Sequence, residues 1–374
     1  MATFPRNEIV SLTDVQPTHE LGESYGPDLR LADLLTPELA GLELGYGTAY
    51  GDLRLRTAIA ERHGVRPEQV VVTVGGMHAI FLLAYLVPDG NGQVVTTAPL
   101  FPLARNCFDT VGADVRVIPL SFDDGYQLTA DAVRAQLTPE TKLVSLATPQ
   151  NPSGVAIPAS TLRDIVDVMN DVCPDAYLMV DETYRTAAYG DDPIADTAVR
   201  LGPKVVSVAS LSKCHGAAGL RIGWLVSTDA DLVDRVVTAK FNTVVTAAPL
   251  TEALAVRVFE QEDEILGVRR RWLAEALSST EDWVGANSEL VEWVRPDAGA
   301  LCCVRLGPVV PLDRFKQAAA ELSVRVADGD WFGDERRIFR LGFGFLPPAE
   351  LKAALEALTA ALRRAVPAAG QGLG

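Results

Sequence analysis

From residue 65 to residue 227 the sequence repeats one arrangement: a short β-branched, apolar run followed by a longer amphipathic stretch. QVVVTV (69–74), QVVTT (93–97), ADVRVIPL (113–120), KLVSLAT (142–148), AYLMVD (176–181), KVVSVAS (204–210) and IGWLVS (222–227) read as strands. Residues 76–87, 101–111, 129–137 and 159–172 read as helices between them. Strands this continuously apolar have no face to give to water, so helices must cover both sides of a mostly parallel sheet. Ligands on such sheets sit at the carboxyl ends of the strands, and the loops that follow strands are where chemistry belongs.

Past Asp229 the pattern changes. Two long helical stretches, 229–240 and 247–279, lead into short strands at ELVEWV, ALCCVRL, VRVA and IFRLGF, with helices near 311–322 and 347–365. The expected architecture is α/β, a large mostly parallel α/β/α sheet domain with a smaller α+β C-terminal domain. The division reads as an N-terminal arm over 1–40, a large domain over 41–245, and a connecting helix with the small domain over 246–374, whose Ala/Gly/Pro-rich end reads as frayed. A net charge of −16, with no Lys/Arg stripe, disfavours nucleic acid, which needs clustered cations to neutralise phosphates. No apolar run is long enough for a membrane span, and the start lacks the apolar core of a secretory signal. Five cysteines without metal-type spacing read as reduced thiols in a cytoplasmic protein, with no metal site.

The chain has only six lysines, and one, Lys213, sits in a run unlike any other: Ser210-Leu211-Ser212-Lys213-Cys214-His215-Gly216-Ala217-Ala218-Gly219-Leu220-Arg221-Ile222-Gly223. Hydroxyls and an arginine suit a phosphate dianion, and glycines let the backbone approach it. A lysine in that setting can form a Schiff base with an aldehyde. A lone lysine would read as a solvated loop residue, but this spacing does not.

S-x-S-K-x-x-G-x-x-G-x-R-x-G resembles the pyridoxal-phosphate lysine motif of the class I/II, fold-type I aminotransferases. Further motifs stand in that family's order: Tyr46-Gly47-Thr48-Ala49-Tyr50-Gly51 with Leu55-Arg56; Thr73-Val74-Gly75-Gly76-Met77; Pro99-Leu100-Phe101; Pro149-Gln150-Asn151-Pro152-Ser153-Gly154; Asp181-Glu182-Thr183-Tyr184; and Arg340 in Phe339-Arg340-Leu341-Gly342-Phe343. Single motifs of this kind are weak; seven in register span nearly the whole chain.

The resemblance implies pyridoxal 5′-phosphate on Lys213, which also serves as acid and base. Asp181, ending a strand, would keep the pyridine nitrogen protonated so that the ring acts as an electron sink, and Asn151 and Tyr184 would donate to its phenolate oxygen. Ser210, Ser212, Arg221 and the amides of Gly76 and Met77, which open a helix, would hold the phosphate. Gly75-Gly76 by itself reads equally as a tight turn. Phe101 would stack on the ring, although an aromatic there also suits plain core. Tyr46 would reach the phosphate of a neighbouring subunit, making the enzyme a homodimer with a shared site. Arg340, with Asn151, would grip the substrate α-carboxylate.

Two departures from the family stand out. Met77 replaces a small hydroxyl residue, and 13–26 differs from the usual substrate-side segment. The latter, with Tyr25 to Arg30, resembles the branch that contains capreomycidine synthase and related arginine-processing enzymes of antibiotic pathways. Glu20 and Glu23 there could hold a cationic side chain or belong to a solvated loop. The leading expectation is an aminotransferase acting on an α-amino acid, with a 2-oxo acid as the second substrate. The alternative is a cyclase, lyase or oxidase on an arginine-like amino acid in a secondary-metabolite pathway. A non-enzymatic regulator of this fold needs a DNA-binding module, and the 45 acidic, Pro/Gly-containing residues before Tyr46 do not read as one.

Overall fold

In the computed structural model, described for residues 3–14, 16–88, 92–189 and 196–367, the strands fall where their apolar runs lie. The arm carries β1 (His19–Glu20). The large domain carries β2 (Val70–Val74), β3 (Gln93–Ala98), β4 (Asp114–Pro119), β5 (Thr141–Ala147), β6 (Tyr177–Asp181), β7 (Val205–Ser210) and β8 (Ile222–Ser227). The C-terminal part carries β9 (Val291–Val294), β10 (Leu301–Leu306), β11 (Val324–Arg325), β12 (Ala327–Asp328) and β13 (Ile338–Gly342).

The large sheet runs β2-β8-β7-β6-β5-β3-β4. Pairing is parallel from β7 through β4, whereas β8 is antiparallel to both neighbours. The sheet is therefore mostly parallel, as the sequence predicts. Because β8 turns straight back beside β7, the loop 211–221 that carries Lys213 stays at the carboxyl ends of the parallel strands. Apolar residues on one face of the sheet pack with the helices Gly76–Leu86, Pro102–Thr110 and Ala230–Val244, and Ala159–Val172 covers the other.

The smaller sheet, β12-β13-β10-β9, is antiparallel. One face packs against Glu262–Ala286, Leu312–Glu321 and Pro348–Ala365, while Cys303, Ile338 and Val294 on the other join the large domain's core. Alternation along β10 predicts one core cysteine of the adjacent pair. Both Cys302 and Cys303 are fully buried, because both faces of this strand are covered.

Three further differences have local causes. The helix Leu53–His63 escapes an apolar-run reading because its mean hydropathy is low, yet it is capped by Asp52 and closed by Gly64 at φ 65°. The stretch 247–279 is two helices, Pro249–Glu260 and Glu262–Ala286, broken at Gln261. VRVA divides between two sheets: β11 pairs in parallel with β1 of the arm, and β12 with β13. The tail expected to fray lies, from residue 368, outside the described residues. Among the described residues no helix is long and apolar enough to cross a membrane.

Candidate active site

Strand ends and the 211–221 loop bring most of the candidate residues together. β2 ends at Val74, and Gly75, at φ 74°, turns the chain into the helix Gly76–Leu86. A side chain at Gly75 would meet the Arg221 guanidinium, since a Cβ there lies 2.4 Å from Arg221 Nη2. Gly76 sits against Ser210, the last residue of β7, with its virtual Cβ 3.7 Å from that of the serine. Arg221 Nη1 donates to Ser212 Oγ at 3.4 Å, and the Ser212 amide donates to Ser210 Oγ at 3.3 Å. Ser210, Ser212, Arg221 and the helix start at Gly76–Met77 thus form one cup. The Gly76 and Met77 amides that open the helix have no intrahelical acceptor, and the Arg221 guanidinium is exposed. That donor set suits a phosphate dianion.

Phe101, Asn151 and Asp181 line one cavity, Asp181 at the end of β6 and the other two in the loops that follow β3 and β5. Asp181 accepts from the Thr183 amide at 2.9 Å, and burial pushes its carboxyl pKa up. Among the described residues it has no cationic partner, so a protonated ring nitrogen would supply the charge it lacks. These residues fit pyridoxal phosphate in both halves, phosphate and ring.

Lys213 shares a second cavity with Ser24, Tyr25 and Tyr184. Burial pulls its amine down to about 8; Arg340 and Arg221 push the same way, while Glu23 and Asp28 oppose them. Tyr184 Oη donates to Ser24 Oγ at 2.8 Å, and burial raises its pKa. Arg340, on the middle of β13, is 2% exposed. Its Nη1 donates to Asn151 Oδ1 at 2.8 Å and its Nη2 to the Gly22 carbonyl at 2.6 Å. Arg340 Nε is a buried donor without a partner, the kind of group a substrate carboxylate satisfies. Because Asn151 Oδ1 faces Arg340, its amide N–H₂ is left to donate elsewhere.

Two candidates stand apart. Tyr46 is 87% exposed and lines neither cavity, so its own chain does not bring it to Lys213. Glu20 requires a correction. It is buried, its Oε2 pairs with Arg325, and its Oε1 accepts from the amides of Gly22 at 2.6 Å and Glu23 at 3.1 Å. A carboxylate spent on three partners is not available to a substrate; Glu20 fastens the arm instead. Glu23 remains open to such a role, since among the described residues its carboxylate has no ion pair and it contributes to the potential at Lys213 and Arg340.

Sequence reasoning gave Ser24 and Tyr25 no role of their own. Tyr25 places its ring 4.8 Å from Lys213 Nζ. The available signal was only that both lie in the divergent segment 13–26. A buried network ending on Glu182 was also missed: Trp224 Nε1 donates to His63 Nε2, His63 Nδ1 meets Thr197 Oγ1 at 2.7 Å, and Thr197 donates to Glu182. Burial pushes His63 down to about 3, so it is neutral and fixes Thr197 and Glu182.

The family described as aminotransferase class I and II matches residues 36–358. Capreomycidine synthase of Streptomyces vinaceus is 30% identical over 362 residues, covering 93% of this chain and 89% of that protein. Arginine–pyruvate transaminase AruH of Pseudomonas aeruginosa is 29% identical over 198 residues, 50% of each chain. A PLP-dependent aminotransferase from Streptococcus suis superposes with a TM-score of 0.89 over 98% of this chain and all of that one (100%), at 24% identity, which speaks to the fold.

Proposed function

The chain belongs to the class I and II aminotransferases, with pyridoxal 5′-phosphate as cofactor, and on that premise we propose that it transfers the amino group of an α-amino acid to a 2-oxo acid, using Lys213. The observation that carries this reading is the place of the Lys213 amine, on the loop that forms the Ser210–Arg221 cup and in one cavity with Ser24 and Tyr184. When bound, the cofactor supplies an aldehyde for covalent attachment and a ring that stores the electron pair from the substrate α-carbon.

Every other part of the chemistry falls to the chain's own residues. Ser210, Ser212, Arg221 and the Gly76 and Met77 amides hold the phosphate. Asp181 would keep a proton at the ring nitrogen, Asn151 would donate to the ring oxygen and Phe101 would cover a ring face, whereas the single O–H of Tyr184 goes to Ser24. Arg340, fixed by Asn151 and Gly22, orients the α-carboxylate and with it the α C–H bond. Lys213 Nζ takes the α-proton and returns it elsewhere, which a group titrating near 8 does efficiently.

Tyr46, 87% exposed in a segment that also exposes Leu44 at 82%, is assigned to the phosphate of a second copy. The enzyme then works as a homodimer with shared sites, without nucleic-acid or membrane partners. Its buried, unpaired cysteines support a reducing, cytoplasmic setting.

A second reading rests on the chain-long likeness to capreomycidine synthase: the same Lys213 chemistry diverted to cyclisation, elimination or oxidation of an arginine-like amino acid, with Glu23 facing the cationic side chain. One experiment separates the two. Purified holoenzyme is incubated with an amino-acid panel while the pyridoxamine-phosphate spectrum, ammonia and peroxide are followed. Conversion to the pyridoxamine form with neither by-product supports transamination; ammonia or peroxide without that conversion refutes it.

A further inference from the structure

The N-terminal arm is held to the site at four points. β1 pairs with β11; Glu20 grips Arg325 and the amides of the next turn; the Gly22 carbonyl accepts from Arg340; and the Gly342 amide donates to the Leu21 carbonyl at 2.7 Å. The contact at Gly342 is so close that any Cβ there would collide with the Glu23 carbonyl. This anchoring fixes the turn 22–25 and carries Ser24, 2% exposed, into the cavity of Lys213.

Ser24 Oγ lies 2.8 Å from Tyr184 Oη and 3.3 Å from Lys213 Nζ. It is the group that joins these two side chains. The Tyr25 ring stands 4.8 Å from Nζ. A hydroxyl has one donor and two acceptor positions, so it can accept from an ammonium and donate to a free amine. Lys213 must pass through both forms while it moves a proton. A carboxylate at this position would bind only the ammonium and hold it protonated. A methyl group would leave both forms without a partner in a buried place.

We propose that Ser24 is a positioning residue for the reaction: its hydroxyl, oriented by Tyr184, holds the Lys213 amine in line with the substrate α-carbon in both protonation states. The same turn supplies the Gly22 carbonyl to Arg340. The arm therefore sets the distance between the amine that moves the proton and the guanidinium that orients the carboxylate. This inference rests on the assignment of Lys213 as the working amine.

The test uses holoenzyme of wild type and Ser24→Ala, matched for cofactor content, with two readouts. The first is exchange of the amino acid's α-proton in heavy water, followed by NMR. The second, free of turnover, is the pH midpoint of the bound cofactor's visible absorbance without substrate. Ser24→Ala is expected to slow exchange at saturating amino acid about ten- to a hundredfold through misplacement of the amine, with KM nearly unchanged. It is also expected to move the absorbance midpoint by about half a pH unit or more, because a hydrogen bond to the group that titrates is lost. Either readout left at its wild-type value overturns the proposal. Should Ser24→Ala fail to retain cofactor, Ser24→Cys, which keeps the side-chain size but bonds weakly, is judged by the same two criteria. A wild-type enzyme that exchanges no α-proton with any amino acid would instead refute the Lys213 assignment.

Discussion

Replacing Glu20 should weaken the fold rather than change which amino acid is accepted. Its carboxylate accepts from the amides of Gly22 and Glu23 and from both the Nε and Nη2 of Arg325. The Arg325 side chain is 15% exposed and that of Glu20 is 8% exposed, so the pair is largely shielded from solvent. Glu20→Ala leaves the arginine without its counter-charge, and breaking such a pair costs about 3–5 kcal/mol. Glu20→Gln keeps the shape and one neutral acceptor, and the loss falls to about 1–3 kcal/mol. Arg325→Met combined with Glu20→Ala should cost less than the sum of the single changes, with a coupling of about 2–3 kcal/mol. Urea titration of the cofactor-saturated enzyme, followed by tryptophan fluorescence, measures wild type, Glu20→Ala, Glu20→Gln, Arg325→Met and the double variant. Within one family of variants the ratio of kcat/KM for basic over neutral amino acids should stay constant, even as KM rises from a loosened Gly22–Arg340 bond. A Glu20→Ala enzyme as stable as wild type, with that ratio collapsed, would show that the carboxylate serves the substrate and that the reasoning is wrong.

Arg221→Ala should weaken cofactor retention strongly in dialysis, because it removes a charge-assisted phosphate contact; unchanged retention would move the phosphate cup elsewhere. Arg340→Ala should lower kcat/KM by about two to three orders of magnitude while cofactor affinity stays near wild type, as expected for loss of one side of a desolvated ion pair. The Lys213 amine, held down to about 8, works as a base only when neutral, so kcat should rise with pH through that region and level off above it. A kcat that is flat from pH 6 to pH 9 would remove Lys213 from that role.

The sheet was legible in the sequence because its strands, apart from the edge strand β4, are buried on both faces and show as short Val/Leu-rich runs. The residues proposed for the phosphate and the ring stand out in the sequence because they fall in short motifs of fixed spacing at or just beyond strand ends. The arm was not. Its contacts join Glu20 to Arg325 and Gly22 to Arg340, more than 300 residues away in the chain, and no local pattern reports such pairs. Glu20 looked like a free acid for the same reason: its cation lies in β11, a strand of two residues. The helix Leu53–His63 has caps at both ends but a face too polar for an apolar-run reading, and its buried His63 is satisfied only through Trp224 and Thr197.

The central claim, that Lys213 carries the cofactor, is tested most directly by fixing the attachment chemically. Holoenzyme is reduced with borohydride, digested and mapped by mass spectrometry for the phosphopyridoxyl group. That mass is expected on the peptide containing Lys213, alone among the six lysines, and is expected to be missing from Lys213→Ala. The label on any other lysine, or a fully active Lys213→Ala enzyme, would contradict it.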